Sequence, residues 1–302
     1  MIDLLLGGSP CQGFSFAGKQ LNFFDPRSKL FFDYVEAKKA LNPKYFLLEN
    51  VKMKQEFQDV ISKYLGVEPI EINSALVSAQ NRVRFYWTNI PGIQQPEDKG
   101  VLLNTVIQAN IDQDLIVPIS SINNPVFKKN YLQWDTKGKG YASQDQRAFY
   151  LNGKHGTLPH ASGSSKVKVL LDKEKLLVKK LSPVEAERLQ TLADNYTDIL
   201  SNHQRYGVIG NGWTVDVIAH ILSFIPDNHL QTVVSLFDGI SCGQVALERS
   251  GKLYNQYYAS EIDENAIKVT QKNYPHTMQL GDVTKIDWVA FLDRLAMIQK
   301  VS

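Results

Sequence analysis

Short apolar runs alternate with helix-like segments near the start of the chain. Residues 2–7 (Ile-Asp-Leu-Leu-Leu-Gly) predict a buried strand that ends in a glycine turn, and Tyr45 to Leu48 predicts a second buried strand. Helical patterns cover Ser28 to Ala40 and residues 54–65, and Arg84 to Asn89 alternates as a third strand. Strands that alternate with helices predict an α/β fold with a mostly parallel sheet.

The pattern changes near Pro91 and changes back near Leu181. Residues 92–178 are rich in Asn, Gln, Gly, Lys and Pro and predict short strand-like pieces without a long helix. Ser182-Pro183-Val184-Glu185 is a capping box with proline at the first helical position, which predicts a helix through about Leu192. The later predicted elements are a helix from Thr214 to Ile225, strands from Thr232 to Phe237 and from Tyr257 to Ser260, and a helix from Trp288 to Ile298. We therefore predict three segments, in which 1–94 and 179–302 form one α/β domain and 95–178 form a small irregular or β-rich domain.

Composition excludes several classes of protein. The chain has 302 residues, of which 43% are hydrophobic, as in an ordinary globular protein. Its two cysteines, Cys11 and Cys242, do not make a disulfide framework, which favours a reducing, intracellular location. No apolar run approaches the roughly 20 residues that span a membrane, and the first residues do not resemble a secretion signal. The six histidines show no metal-ligand spacing with either cysteine, so we expect no metal site. Because no long apolar run is present, we also expect no membrane association.

The net charge of +2 is unevenly distributed. Residues 125–180 contain 12 Lys and Arg but four Asp and Glu, a local net charge of +8, and aromatic residues are interleaved with these cations. This combination indicates contact with a polyanion. A lysine-rich surface that faces solvent explains the same charges, and charge alone does not decide between the two interpretations.

Three predicted strand ends in the last third of the chain carry acidic residues. Phe237-Asp238-Gly239 ends one strand, in front of a helix that begins near Gly243. Glu261 ends the next strand, 22 residues after Gly239, which is the spacing at which an acidic residue binds a ribose hydroxyl in dinucleotide-binding folds. Asp282 ends a third strand, and its short side chain is suited to an adenine amino group. The series predicts a nucleoside cofactor, and the alternative is three solvated loop carboxylates.

A cysteine and a glutamate follow the two N-terminal strands. Pro10-Cys11-Gln12 lies just beyond the first strand, and Glu49-Asn50-Val51 is expected at the end of the second. Neighbouring ends of parallel strands open into one crevice, so we expect Cys11 and Glu49 to face each other as a nucleophile and an acid. A buried apolar cysteine and a helix-entry glutamate are the alternatives.

Two arginines are spaced for one face of a strand. In Gln80-Asn81-Arg82-Val83-Arg84, Arg82 and Arg84 lie at positions i and i+2. Two guanidinium groups on one face are suited to holding a planar polar group by forked hydrogen bonds. An ordinary salt bridge is the alternative.

Together these motifs resemble those of the DNA cytosine-5 methyltransferases. The matching set is Pro10-Cys11-Gln12, Glu49-Asn50-Val51, Gln80-x-Arg82-x-Arg84, Arg188-Leu189-Gln190, Gly210-Asn211-Gly212, Phe237-Asp238-Gly239, Glu261 and Gly281-Asp282. The resemblance implies a Rossmann-like class I methyltransferase sheet with helices on both faces, and S-adenosylmethionine as cofactor. It also implies that residues 95–178 are a target-recognition domain and that the partner is double-stranded DNA. The protein is then expected to be a monomer in the cytoplasm of a prokaryotic or phage-infected cell, or otherwise associated with DNA inside a cell.

The resemblance assigns roles to individual residues. Cys11 would add to C6 of a cytosine flipped out of the duplex, Glu49 would bind its N3 and amino edge, and Arg84 would hold O2 while Arg82 organises the same pocket. The implied cofactor residues are Pro10, Asn211, Phe237, Asp238, Gly239, Gly243, Glu261, Ile262, Asp282 and Val283. The implied DNA contacts are Gln12, Ser15 and Lys19 in a loop that closes on DNA, and Lys137 and Lys139 in a segment for which a DNA-facing loop and a disordered tip remain alternatives.

The order of the motifs departs from that of the family. Members begin with the cofactor motif and reach the Pro-Cys loop later, whereas here the cofactor motifs come last. This is the order of a circular permutant, and it predicts that Met1 and Ser302 are neighbours in space.

Other protein classes explain less of the sequence. An inactive DNA-binding relative is expected to lose Cys11 or Glu49, and both are present. The branch that methylates transfer RNA carries a Cys-Phe-Thr tripeptide, and amino-methylating DNA enzymes carry an Asp/Asn/Ser-Pro-Pro-aromatic motif; neither occurs here. A flavin or nicotinamide oxidoreductase explains the cofactor motifs but not Pro10-Cys11 together with Glu49.

Overall fold

The structure is a computed structural model that describes residues 2–10, 29–134, 144–160 and 167–301. In chain order its elements are β1 (Leu4–Gly7), α1 (Leu30–Leu41), β2 (Tyr45–Val51), α2 (Gln55–Leu65), β3 (Ile70–Asn73), β4 (Val83–Thr88), β5 (Val126–Phe127), β6 (Tyr131–Gln133), β7 (Arg147–Tyr150), β8 (Lys168–Asp172), β9 (Leu177–Lys180), α3 (Pro183–Leu189), α4 (Asn202–Asn211), α5 (Val215–Ser223), β10 (His229–Leu236), α6 (Cys242–Arg249), β11 (Leu253–Ser260), α7 (Glu264–Asn273), β12 (Met278–Gln279) and α8 (Trp288–Val301). Among these described elements, no helix is both long and apolar enough to cross a bilayer.

The chain divides into two compact units. The first unit comprises Met1–Ile72, Val83–Gln95 and Ile218–Ser302, and the second comprises Asn73–Arg82 and Pro96–Val217. Residues 179–217, which the sequence grouped with the α/β segments, belong to the second unit because α3 and α4 pack into its core. Leu189 of α3 and Ile209 of α4 share one buried cluster with Val169 of β8. The functional roles of the three predicted segments stay predictions.

The first unit contains a seven-stranded sheet with the order β12-β11-β10-β1-β2-β4-β3. The pairs from β12 to β2 are parallel, and β4 runs antiparallel to β2. The predicted α/β class with a mostly parallel sheet is therefore confirmed.

The position of β1 at the centre of the sheet explains its apolar sequence. Leu4, Leu5 and Leu6 have no exposed surface. Successive side chains of a strand point to opposite faces, so complete burial of three in a row shows that both faces of the sheet are covered here. An uninterrupted apolar run is the pattern that such a strand requires.

Local sequence signals set most of the helix ends. The capping box at the start of α3 is present, with the Ser182 and Glu185 side chains each bonded to the other's backbone N–H. Helix α3 ends at Leu189, earlier than predicted, because Thr191 adopts a positive φ of 56° and turns the chain. Helix α1 ends at Leu41, one residue later than predicted, where Asn42 enters the left-handed region directly before Pro43.

Strand β2 is longer than the sequence predicted. Glu49 and Asn50 lie inside it rather than beyond its end, because β4 pairs with β2 as far as Val51 opposite Arg84. Antiparallel pairing thus extends the strand past Leu48, where its ladder with β1 stops opposite Gly7.

The second unit contains a five-stranded sheet with the order β5-β6-β7-β8-β9. Its pairs are antiparallel except β7 with β8, which is parallel. The described part of residues 92–178 has short strands and single turns of 3-10 helix, as its composition predicts.

Candidate active site

The carboxyl ends of five parallel strands meet at one edge of the first unit's sheet. Leu236, at the end of β10, pairs with Gly7 of β1 on one side and with Ser260 of β11 on the other. The residues that follow these strands therefore leave the sheet at the same level. This edge is where ligands bind in open α/β sheets.

Glu49 and Arg84 form an ion pair at this edge. Val51 of β2 lies opposite Arg84 of β4, so Glu49, two residues earlier, is a diagonal neighbour of Arg84 on the same face. The Arg84 Nε lies 2.9 Å from Glu49 Oε1, and the two side chains are 13% and 11% exposed. Arg84 Nη1 also donates to the Val83 carbonyl at 2.8 Å. The pair fixes the direction of a nearly dry carboxylate.

The segment that leads towards Cys11 is tied to β2. Asn50 is buried, and its Nδ2 donates to the Ser9 carbonyl at 3.3 Å and to Ser9 Oγ at 3.2 Å. Pro10 is the last described residue of this segment, and Cys11 lies outside the described residues.

The turn after β10 has an unusual backbone. Phe237, Gly239 and Ser241 all have positive φ, at 59°, 60° and 56°. A hydrogen bond of 3.1 Å from Asp238 N to the Ser260 carbonyl ties the turn to β11. Because Phe237 and Ser241 carry side chains, the turn stores strain of a kind that concentrates at ligand sites.

Glu261 closes this turn from the neighbouring strand. Its Oε2 accepts from Gly239 N at 2.7 Å, and its Oε1 accepts from Ile262 N at 2.8 Å and from Asp263 N at 2.9 Å. The carboxylate thus connects the first two acidic strand ends that the sequence singled out.

Asp238 faces the interior of the unit. Its Oδ1 accepts from the Tyr257 hydroxyl at 2.7 Å, and its Oδ2 accepts from the Ser241 hydroxyl. Burial raises the pKa of Asp238 to about 6, and the hydrogen bonds from Ser241 and Tyr257 offset part of that effect. Burial also raises the pKa of Tyr257 well above its ordinary value.

The third strand end presents Asp282 to solvent and Val283 to the core. Asp282 Oδ1 accepts from Thr284 N at 3.0 Å and from Thr284 Oγ1 at 2.8 Å, and these bonds, with Lys285 nearby, lower the pKa of Asp282. Val283 is buried in the core cluster of the unit, and Gly243 is buried at the start of α6.

Open space at these strand ends fits a nucleoside. A Cβ built on Gly239 would meet no atom within 4 Å, and Ile262 is 72% exposed beside Glu261. The exposed Ile262 side chain offers a face for a base, and the Glu261 carboxylate beside it in the chain offers acceptors for hydroxyl or amino groups, which is the combination that an adenosine needs.

In the second unit, three sequence motifs are joined by Gln190. Its Nε2 donates to the carbonyls of Ile209 at 2.9 Å and Gly212 at 3.0 Å. Its Oε1 accepts from Gln80 Nε2 at 3.1 Å and from Thr214 Oγ1 at 2.9 Å. Gln190 has no exposed surface, so this network cross-links the Gln80, Gln190 and Gly212 segments in a dry interior.

Arg82 is buried beside the same hydrogen-bond network. It directly precedes β4, and its guanidinium donates to the carbonyls of Leu158 at 3.3 Å, Gly212 at 3.0 Å and Gly210 at 3.4 Å. A Cβ on Gly210 would lie 2.2 Å from the Pro159 carbonyl oxygen, so this position accepts only glycine. The Arg82 and Arg84 side chains were predicted to share one pocket; Arg82 donates to carbonyls of the second unit, whereas Arg84 forms an ion pair with Glu49 of the first. Asn211 is exposed at the end of α4.

Several predicted residues cannot be placed. Cys11, Gln12, Ser15, Lys19, Lys137 and Lys139 lie outside the described residues, as do Met1 and Ser302, whose proximity the permuted order predicts. Among the residues that the structure describes, no group of His, Cys, Asp and Glu is arranged to hold a metal ion.

Comparison with known families identifies the family of the chain. A family model described as C-5 cytosine-specific DNA methylase matches residues 1–65, 78–226 and 231–297. The chain belongs to this family. The resemblance inferred from the motifs is thereby confirmed, and the matched residues include Glu49 and Arg84 as well as the three acidic strand ends.

Individual members of the C-5 cytosine-specific DNA methylase family resemble parts of the chain. It is 29% identical over 238 residues to the type II methyltransferase M1.ScrFI of Lactococcus lactis subsp. cremoris. This match covers 72% of this chain and 60% of that protein. It is 28% identical over 236 residues to the type II methyltransferase M.NlaX of Neisseria lactamica, covering 72% and 74%. A stretch of 50 residues, 17% of this chain and 11% of the relative, is 60% identical to the orphan methyltransferase M.SPRI of Bacillus phage SPR. The chain thus spans 60% of the length of the first of these relatives.

Sequence reasoning missed two sets of residues in this family member. One is the contact between Asn50 and Ser9, which the sequence did not signal because it placed Asn50 beyond the end of the strand. The other comprises the Ser241 and Tyr257 hydroxyls around Asp238, which only the packing of α6 against β11 reveals.

Proposed function

We propose that the protein transfers a methyl group from S-adenosylmethionine to C5 of cytosine in double-stranded DNA. The observation that carries the proposal is the nearly dry Glu49–Arg84 ion pair of 2.9 Å, on the strand next to the segment that leads to Cys11, in a chain of the C-5 cytosine-specific DNA methylase family. The type II methyltransferases that it resembles support the same activity.

Three residues, Cys11, Glu49 and Arg84, have separate roles in the reaction with cytosine. C5 of cytosine is a poor nucleophile, and addition of the Cys11 thiolate to C6 gives C5 the character of an enamine. Glu49 binds the N3 and amino edge and supplies the proton that stabilises the addition, while Arg84 holds O2. Once C5 has accepted a methyl group, loss of the C5 proton to solvent restores the C5–C6 double bond and releases the Cys11 thiolate, and the N3 proton returns to Glu49. The base must leave the duplex to reach such a pocket.

The cofactor-binding residues follow the strand ends. S-adenosylmethionine, when bound, supplies an electrophilic methyl group. Glu261 and Asp282 offer carboxylate oxygens to its hydroxyl and amino groups, and Phe237 and Ile262 offer apolar surface. The other residues assigned to this pocket are Pro10, Asn211, Asp238, Gly239, Gly243 and Val283.

DNA recognition is assigned to other segments. Residues 95–178 act as the target-recognition domain, and their excess of lysine attracts the phosphate backbone. Gln12, Ser15, Lys19, Lys137 and Lys139 are the proposed DNA contacts. The protein acts as a monomer inside the cell, without a metal ion.

The order of the motifs is that of a circular permutant of the family. Its support is the parallel pairing of β10, which precedes the Phe237 turn, with β1, which precedes Cys11. Strands from the two ends of the chain therefore build one continuous site edge.

A labelling experiment tests the function. Purified protein and its Cys11→Ser variant are incubated with unmethylated plasmid DNA and methyl-labelled S-adenosylmethionine, and the DNA is digested to nucleosides. Labelled 5-methylcytosine from the wild type and none from the variant is the expected result. Label in another nucleoside, or equal label from both proteins, would refute the assigned reaction.

A further inference from the structure

The ladder between β1 and β2 stops before either segment reaches its reactive residue. Its last pair is Gly7 with Leu48. Beyond it, β2 continues by pairing with β4, and the β1 chain goes on through Gly8 and Ser9 without a strand partner. Another contact must hold the chain that approaches Cys11 against β2.

The Asn50 side chain supplies that contact. Its Nδ2 donates to both the carbonyl and the hydroxyl of Ser9, at 3.3 and 3.2 Å, and its Oδ1 accepts from Val51 N at 2.8 Å. Asn50 is 1% exposed and Ser9 is 4% exposed, so these bonds are shielded from water. An amide whose donors and acceptor are all engaged in a dry site has one stable orientation.

We propose that Asn50 is a positioning residue that fixes the chain two residues before Cys11 relative to the strand of Glu49. This inference rests on the proposed function. Asn50 is adjacent to Glu49 in β2, and Cys11 follows Ser9 by two residues, which is a chain length of at most about 7 Å. A fixed Ser9 therefore limits the range over which the chain can carry the thiol away from this strand. A displacement of about 1 Å between reacting groups costs on the order of 10²-fold in rate.

Matched variants separate positioning from general stability. Asn50→Ala removes the contact, and Asn50→Asp keeps its shape but cannot donate to the Ser9 carbonyl while ionised. Asn89→Ala is the control, because the Asn89 amide bonds to the Phe46 N–H and the Lys44 carbonyl at the opposite end of the same strand. All variants are compared by thermal melting and by their affinity for S-adenosylhomocysteine.

The first readout is the covalent adduct with duplex DNA that contains 5-fluorocytosine, followed on denaturing gels beside methyl-transfer kinetics. We expect Asn50→Ala to slow adduct formation and kcat about 10²-fold, with affinity for S-adenosylhomocysteine within about threefold of wild type. Asn50→Asp should be slowed at least as much as Asn50→Ala, because an ionised carboxylate at this position cannot donate to the Ser9 carbonyl. Equal losses in Asn50→Ala and Asn89→Ala, or an Asn50→Asp rate equal to that of the wild type, would overturn the inference.

The second readout does not need activity. Alkylation of Cys11 by iodoacetamide is followed by mass spectrometry, with the buried Cys242 as internal reference. We expect Asn50→Ala, but not Asn89→Ala, to change the alkylation rate of Cys11 at least about threefold. If the wild type forms no 5-methylcytosine but alkylation responds to Asn50, the proposed function fails and the positioning role stands. If the wild type methylates DNA and neither readout responds, only the positioning role fails.

Discussion

Glu49 and Asp238 are both buried carboxyl groups of the first unit, but their surroundings differ. Glu49 lies 2.9 Å from the Arg84 guanidinium, whereas Asp238 accepts from neutral hydroxyls, among them those of Ser241 and Tyr257. A cation offsets the cost of burying a carboxylate, and neutral donors offset only part of it, which is why the pKa of Asp238 is raised to about 6. Removing the negative charge should therefore destabilise the protein at one site and stabilise it at the other.

Glu49→Gln should have the largest effect. The amide keeps the shape of the side chain but cannot supply the proton for cysteine addition, so we expect methylation to fall by about 10²- to 10⁴-fold. The variant also leaves the nearly dry Arg84 cation without its charge partner, and the free energy of unfolding should fall by about 1–3 kcal/mol. Methyl-transfer kinetics and urea denaturation measure the two losses. An active or more stable Glu49→Gln protein would contradict both the role and the comparison.

Asp238→Asn should act in the opposite direction on stability. The folded-state pKa of Asp238 is raised from 3.8 to about 6, so its contribution to stability is fully present below about pH 4 and is lost as pH rises through about 6. The amide removes this dependence, and at pH 8 the variant should be more stable than wild type by up to about 3 kcal/mol. Urea denaturation of both proteins from pH 4 to pH 8, without cofactor, measures the difference. A difference that stays constant across this range would show that Asp238 does not titrate as described.

Tyr257→Phe should have the smallest effect. It removes a hydroxyl donor to Asp238, so the ionised carboxylate loses about 1–2 kcal/mol of stabilisation at pH 8. Near pH 4, where Asp238 of the folded protein is mostly protonated, the loss should be smaller. Thermal melting at the two pH values checks this, and Tyr254→Phe is a matched control because the Tyr254 hydroxyl donates to Gln244 rather than to Asp238.

The sequence was most informative where local rules apply. The capping box at Ser182, the apolar run of β1 and the glycine turn after β10 follow from hydrogen bonding, burial and backbone conformation within a few residues. The alternation of strands and helices was sufficient for the α/β class, and the spacing of the motifs was sufficient for the family. These features need no knowledge of distant contacts.

Long-range packing decided the rest. Whether Glu49 lies inside or beyond β2 depends on β4, more than 30 residues later, and the same antiparallel pairing places Arg84 beside it. Arg82 and Arg84 look equivalent in the sequence, yet Arg82 donates to carbonyls of the second unit and Arg84 forms an ion pair with a carboxylate of the first. Glu49 and Asp238 were likewise both acids near strand ends. Their different chemistry comes from which neighbours the folded chain brings near each carboxyl group, because desolvation and pairing depend on atoms that are close in space and not in sequence.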